Sequence, residues 1–374
     1  MSTRGTLRLA TRGSDLALRQ ATSVAEALES RRYEVELVEV ETRGDQLRDE
    51  LIHRLGKTGA FVRALDEEVL AGEVDAAVHS MKDVPTEMPD DLVVAGVPER
   101  EPEYDVLVTP DGQAFDDLPR GATIGTSSLR RTAQLLRERP DLEVEPLRGN
   151  VDTRLAKLLA PSLQREHEAR IEADKERKGN TGDDEYEPEY DQRPEEWFDG
   201  LTELERRALG REVEVEYDAI VLAEAGLRRS DLLHQVEHER LPKDEFVPAP
   251  AQAAIAVTAT DSDVVEVVRE AVDDPPSRVE TTVERTVLAE LGGGCVAPIG
   301  VHASLQGSFV RTDVQVLSAD GTEVVSARED LPAERHMRAA RDLAADLRDE
   351  GAADLIEAAK RDEPDDAKRE EDDG

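Results

Sequence analysis

Ala122-Thr123-Ile124-Gly125-Thr126-Ser127-Ser128-Leu129-Arg130-Arg131, continuing through Arg137, decides how this chain is read. Ala122 to Gly125 patterns as a strand and Ser128 to Arg137 as a helix, with hydroxyl residues in the turn between them. A strand entering a helix through a short polar turn is half of a βαβ unit, and the helix start presents backbone N–H groups to an anion. No acidic residue falls between Leu118 and Arg137, yet Arg120, Arg130, Arg131 and Arg137 do. Because arginine pairs bidentately with carboxylate or phosphate, this junction reads as an anion site.

The same rhythm extends outward. Leu7 and Leu9 alternate with polar neighbours, Leu18, Ala21, Val24, Ala25 and Leu28 keep helical spacing, and Val35, Leu37 and Val40 return to an extended pattern. Phe61 to Leu70 reads as helix, and Val74 to Val78 and Leu92 to Val97 as buried strands, so a largely parallel sheet with flanking helices is expected. A second unit opens near Tyr104 and runs through strands at 106–108, 122–125, 142–147 and 217–222, with helices at 128–137 and 151–159. From Asp261 the pattern changes to helices at Val264 to Val268 and Val279 to Leu291, a strand meander over 301–325 turning at Asp320-Gly321, and helices between Ala333 and Ala359. The expected class is α/β: residues 1–103 with 239–260 form one domain, 104–238 a second, and 261–360 a smaller α+β domain. Residues 361–374 read as a disordered acidic tail, and about 161–215 as a polar surface insertion whose end, Trp197 to Leu209, docks as a short helix.

Across 374 residues, 86 acids stand against 47 bases for a formal charge of -39. Such a field repels polyanions, so neither nucleic acid nor an anionic membrane is expected as a partner. Only eight of the bases are lysine, and an acid-coated, lysine-poor surface reads as adaptation to concentrated salt. No apolar run is long enough to span a bilayer, and Met1 to Arg12 lacks a signal-type stretch, so a cytoplasmic protein is expected.

Basic groups recur at the strand-to-helix junctions: Arg12 and Ser14 at the first, Arg148 and Arg154 after the strand ending at Leu147, Arg228 and Arg229 after the strand ending at Leu222. Such junctions gather at one rim of a parallel sheet, so four of them imply a ligand with several negative groups. Val78-His79-Ser80-Met81-Lys82-Asp83-Val84-Pro85-Thr86 puts a carboxylate at that rim, where it can hold a cation or pass protons. The single cysteine, Cys295, follows Gly292, Gly293 and Gly294 at the end of a helical pattern. One thiol closes no internal disulfide and fills no zinc shell, which leaves packing, redox chemistry or covalent attachment, and the bare glycines favour attachment. His234 and His238 stand four apart but have no third ligand nearby, so no metal is expected, and no nucleotide-binding glycine loop is present.

In order along the chain, Ala10-Thr11-Arg12 with Ser14, Thr42-Arg43-Gly44-Asp45, Val78 to Pro85, Gly125 to Arg131, Leu147 to Val151, Ala225 to Arg229, and Gly292 to Gly300 resemble the porphobilinogen deaminase (hydroxymethylbilane synthase) family. The resemblance implies two periplasmic-binding-protein-like α/β domains around a cleft plus the smaller domain. It also implies head-to-tail joining of four porphobilinogen molecules with loss of ammonia, and a dipyrromethane cofactor thioether-linked to Cys295. Asp83 would be the catalytic carboxylate. Lys82, Thr126, Ser128, Arg130 and Arg131 would bind the cofactor, and Arg12, Ser14, Arg148, Arg154 and Arg229 the substrate and growing chain. A monomer passing its product to uroporphyrinogen-III synthase is expected. Three departures stand out: Lys57 lies one place earlier than the family's lysine, Ala251 and Ala253 replace glycines around Gln252, and the 161–215 insertion is long. The rival reading is a hinged two-domain polycarboxylate-binding protein without catalysis, which leaves Asp83 and Cys295 idle; a cysteine hydrolase lacks a histidine partner motif.

Overall fold

The computed structural model describes residues 5–31, 33–40, 58–179, 189–292 and 297–361. The first unit runs β1 (Gly5–Thr11), α1 (Asp15–Glu29), β2 (Tyr33–Glu39), α2 (Thr58–Leu70), β3 (Ala76–Ser80) and β4 (Val93–Gly96). The chain crosses to a second unit of β5 (Asp105–Val108), β6 (Thr123–Gly125), α3 (Leu129–Glu138), β7 (Glu143–Glu145), α4 (Val151–Gly179), α5 (Pro194–Gly200), α6 (Glu203–Leu209), β8 (Ala219–Ala223), α7 (Glu224–Arg229) and β9 (His238–Arg240). It crosses back into β10 (Ile255–Ala259) and α8 (Ser262–Val272). The third unit is α9 (Pro275–Leu291), β11 (Ile299–Gln306), β12 (Phe309–Leu317), β13 (Val324–Pro332), α10 (His336–Leu347) and α11 (Ala353–Arg361).

Two five-stranded sheets share one plan, β2-β1-β3-β10-β4 and β7-β6-β8-β5-β9. Each carries one strand antiparallel to its neighbours, β10 in the first and β5 in the second, and these are the strands entered from the two crossings. The remaining pairs are parallel, β1 with β2 and β3, and β6 with β7 and β8. This is the periplasmic-binding-protein-like arrangement of paired α/β domains, and the third unit is a three-stranded antiparallel sheet packed on helices.

Parallel strands covered on both faces need apolar residues throughout, which is why Ala76 to Val78 and Ala219 to Leu222 are buried in succession. Leu9, Val24, Leu28, Val78 and Val257 make the first core with one face of α8. That helix was expected in the third unit, and a boundary at 238/239 falls inside β9 of the second sheet. Short apolar helices look alike from sequence, and only the partner surface assigns them.

The 161–215 segment also differs from its reading as a surface insertion. Helix α4 runs on through Pro161, which is buried, and continues to Gly179. A proline in a helix interior removes one hydrogen bond, yet here Leu155, Leu158 and Leu163 pack with Trp197, Leu204 and Ala208 from α5 and α6 into one core. Tertiary burial thus overrides the helix breaker.

Candidate active site

The chemistry-bearing junctions stand at the carboxyl ends of the parallel strands. Ser14 caps α1 by accepting from Ala17 N at 3.3 Å, with half-buried Arg12 just before it. In the second unit Ser128 caps α3, and Ser128 N donates to the buried Thr126 hydroxyl at 3.2 Å. The Ser127 hydroxyl donates to Leu147 O at 2.8 Å, tying this junction to the next, where half-buried Arg148 precedes Gly149. Gly149 has φ of 110°, and a Cβ there would lie 2.3 Å from the Thr153 side chain, so only glycine allows this entry into α4. Helices α1 and α7 touch across the first two units.

Asp83 ends a 3-10 turn, Met81–Asp83, that follows β3 directly. Met81 and Val84 are buried and fix the turn from below, while Met81 N donates to Ala254 O at 2.9 Å. The two polar side chains between them face outward: Lys82 is 52% and Asp83 36% exposed, with 3.8 Å between Nζ and Oδ1.

The arginines divide into two groups. Arg130, expected to hold cofactor, is turned inward at 4% exposure, pairing with Asp105 Oδ2 at 2.8 Å and donating to Gln134 and to Val247 O. It therefore joins the second unit to the returning crossing and does not reach the rim. Arg131 pairs with Asp105 Oδ1 at 2.7 Å and donates to Val221 O. Burial pushes the Asp105 carboxyl up, but Arg130 and Arg131 outweigh it and hold it at about 2. One carboxylate shared by two guanidiniums leaves one net positive charge at this junction. Arg229 pairs with Glu101 at 2.8 Å and donates to Ala253 O, so it too is engaged with the crossings.

Arg154 stands apart. Its Nε donates to Gly149 O at 2.8 Å, and among the described residues it has no ion pair. Burial, with Arg131 adding to it, pushes its guanidinium down to about 10, the mark of a cation placed where an anion would relieve it. This donor set, with exposed Lys82, Thr126 and the residual charge at Arg131, fits a group carrying several carboxylates, as a dipyrromethane does. Cys295, Lys57 and Thr42 to Asp45 lie outside the described residues.

Sequence reasoning missed Asp105, Gln252 and Arg285. Gln252 donates to Asp105 Oδ1 at 3.0 Å and to Glu103 O at 2.7 Å between Ala251 and Ala253, which take positive φ of 58° and 68°. That backbone is where glycine was expected, and alanine accepts it at about 1 kcal/mol or more each. Nothing in the strings around Asp105 or Arg285 marks them, because their partners lie far along the chain.

Paired α/β units with basic side chains at their strand-to-helix junctions and the outward Lys82–Asp83 pair after β3 define a protein built to meet an anionic ligand. The sequence profile for the porphobilinogen deaminase dipyromethane cofactor binding domain matches residues 7–173 and 202–266, and that for the family's C-terminal domain matches 279–350. A probable porphobilinogen deaminase of Halobacterium salinarum is 56% identical, covering 95% of this chain and 98% of the relative. The porphobilinogen deaminase of Rubrobacter xylanophilus is 37% identical over 94% of this chain and 97% of its own, and a probable one of Methanococcoides burtonii 36% over 94% and 96%. The chain belongs to the porphobilinogen deaminase family.

Proposed function

We infer that this transferase polymerises porphobilinogen head to tail into the linear tetrapyrrole hydroxymethylbilane, releasing ammonia at each step, in tetrapyrrole biosynthesis. Family membership supports the activity, and the outward carboxylate of Asp83 beside Lys82, directly after β3, carries the assignment of roles.

Each porphobilinogen brings two carboxylates. Arg154 meets one of them, because that partner removes the penalty of its burial, and Arg12, Ser14 and Arg148 line the same rim. Asp83 stands by the pyrrole N–H as the C–N bond of the protonated aminomethyl group breaks and its nitrogen leaves as ammonia; the methylene carbon left on the ring is electrophilic, and a fixed negative charge stabilises the cationic azafulvene. The free α-carbon of the terminal pyrrole already held by the enzyme then forms the new C–C bond to that methylene and loses its proton. Lys82, Thr126, Ser128 and the Arg131 junction would hold the dipyrromethane carboxylates, and Cys295 would form the thioether. When bound, that cofactor supplies the first free pyrrole α-carbon. Arg130 and Arg229 act by holding the junctions to the crossings, not by meeting ligand.

The domain division proposed is 5–97 with 241–272, then 98–240, then 273–361. We place the enzyme as a cytoplasmic, salt-adapted monomer that passes its unstable product to a cyclising synthase, uroporphyrinogen-III synthase. Intact mass of the purified protein and ammonia release from porphobilinogen test the reading together. A covalent adduct lost in Cys295→Ser with ammonia produced by the parent chain is expected; binding of porphobilinogen without ammonia would leave a binding protein.

A further inference from the structure

Among the described residues Arg285 is a cation with no carboxylate partner, in a chain that has 86 acids. It projects from α9, and its guanidinium donates to three carbonyls of the turn that carries Asp83: Nη1 to Val84 O at 2.7 Å and Met81 O at 3.3 Å, Nη2 to Pro85 O at 2.6 Å. Burial pushes its pKa down, and no neighbouring acid offsets this. Its neighbours on the same face are paired conventionally, Arg278 with Asp273 and Arg341 with Glu290.

Three carbonyl dipoles converging on one point repel each other unless a cation sits between them. Beside the burial of Met81 and Val84, the turn is tied by Met81 N to Ala254 O and Val84 N to Met81 O. Arg285 thus adds three polar restraints to a segment whose outward side chains are Lys82 and Asp83. It sits six residues before the end of α9, about 9 Å along the axis, and the helix leads straight into the glycines before Cys295.

We propose that Arg285 is a positioning residue for Asp83, the strut by which α9 sets where that carboxylate stands. The proposal rests on the assignment of Asp83 as the catalytic carboxylate. A surface cavity of about 300 Å3, lined in part by Met81, Thr86, Thr282 and Arg285, adjoins the guanidinium, so a small cation has access if the side chain is removed.

The test compares Arg285→Ala, Arg285→Lys, Asp83→Asn and the Arg285→Ala/Asp83→Asn double variant, each as holoenzyme with the adduct verified by intact mass. Arg285→Ala is expected to lose about a hundredfold in kcat, the scale of a misplaced catalytic group, with KM for porphobilinogen nearly unchanged. Added guanidinium ion, far below denaturing levels, should restore much of the rate, and Arg285→Lys should fall between the two. In the Asp83→Asn background Arg285→Ala should cost little more, because residues acting through one another are not additive. Normal kcat in Arg285→Ala beside a crippled Asp83→Asn overturns the strut and leaves Asp83 standing. Losses that multiply in the double variant show that Arg285 acts elsewhere. A near-normal Asp83→Asn removes the underlying assignment instead. If Arg285→Ala does not fold, Arg285→Lys must show the same kcat-against-KM split, and a change in KM alone overturns the proposal.

Discussion

Arg100 and Glu284 form a two-pronged buried ion pair, Nη1 to Oε1 at 2.8 Å and Nη2 to Oε2 at 2.9 Å, between the first crossing and α9. Glu284 also accepts from Ala251 N at 2.6 Å and Ala303 N at 2.8 Å, and Arg100 donates to Gln252 O at 2.7 Å. Both crossings and the third unit therefore converge on two side chains. Removing one partner strands a buried charge, so Arg100→Met is expected to lower stability by about 3 to 5 kcal/mol in a denaturant titration at fixed salt. A loss below about 1 kcal/mol would place the pair among ordinary surface contacts.

Asp105 gives a pH signature. Its carboxyl is held at about 2 in the folded protein, below the ordinary value of 3.8, so the stability it contributes is complete above pH 4 and disappears as pH falls toward 2. The difference amounts to roughly 2 kcal/mol. Asp105→Asn lacks this term and leaves Arg130 and Arg131 sharing no anion. Its stability deficit should be largest near neutral pH and shrink between pH 4 and pH 2; a deficit constant over that range contradicts the arrangement.

Binding and chemistry should separate at Asp83 and Arg154. Asp83→Asn keeps size but removes charge, and should slow single-turnover elongation about a hundredfold or more while porphobilinogen still binds. Arg154→Leu should instead weaken binding, with Arg361→Leu at the exposed end of α11 as the neutral reference. Equal small effects from Arg154→Leu and Arg361→Leu would make the rim mere surface.

The charge of -39 predicts a salt-dependent fold. At molar salt the Debye length is about 3 Å, and repulsion among surface carboxylates is screened. The melting temperature followed by circular dichroism should climb from dilute buffer to molar potassium chloride. An unchanged value would mean the acids do not strain the fold.

Much of this was legible in local pattern. Apolar alternation at Leu7 and Leu9, the helical spacing of Leu18 to Leu28 and the polar turn before Arg130 each report structure made by neighbours in sequence. What failed depended on distant partners. Arg130 and Arg131 looked alike as rim cations because Asp105, which turns one inward, lies on another strand. Pro161 looked like a helix end because Trp197 and Leu204, which hold the helix together beyond it, follow a polar stretch. Arg285 carried no local mark at all, since three carbonyls two hundred residues earlier give it meaning. The alanines at 251 and 253 were noticed, but only the structure shows that both take a positive φ, which glycine adopts without strain.

Gly321, at the tip between β12 and β13, has φ of 72°, and a Cβ there would lie 2.2 Å from Ala133 O and 2.8 Å from Arg137 N, inside the backbone of α3. Gln134 Nε2 donates to Gln315 Oε1 at 2.7 Å beside it. The third unit thus has one seat on the second unit at Gly321 and another on the crossings at Glu284. Any movement that widened the gap between the first two units would have to lift one of these seats. The small domain is thus keyed at one end into helix α3 of the second lobe and at the other into the strap between the lobes, so its sheet reports on both at once.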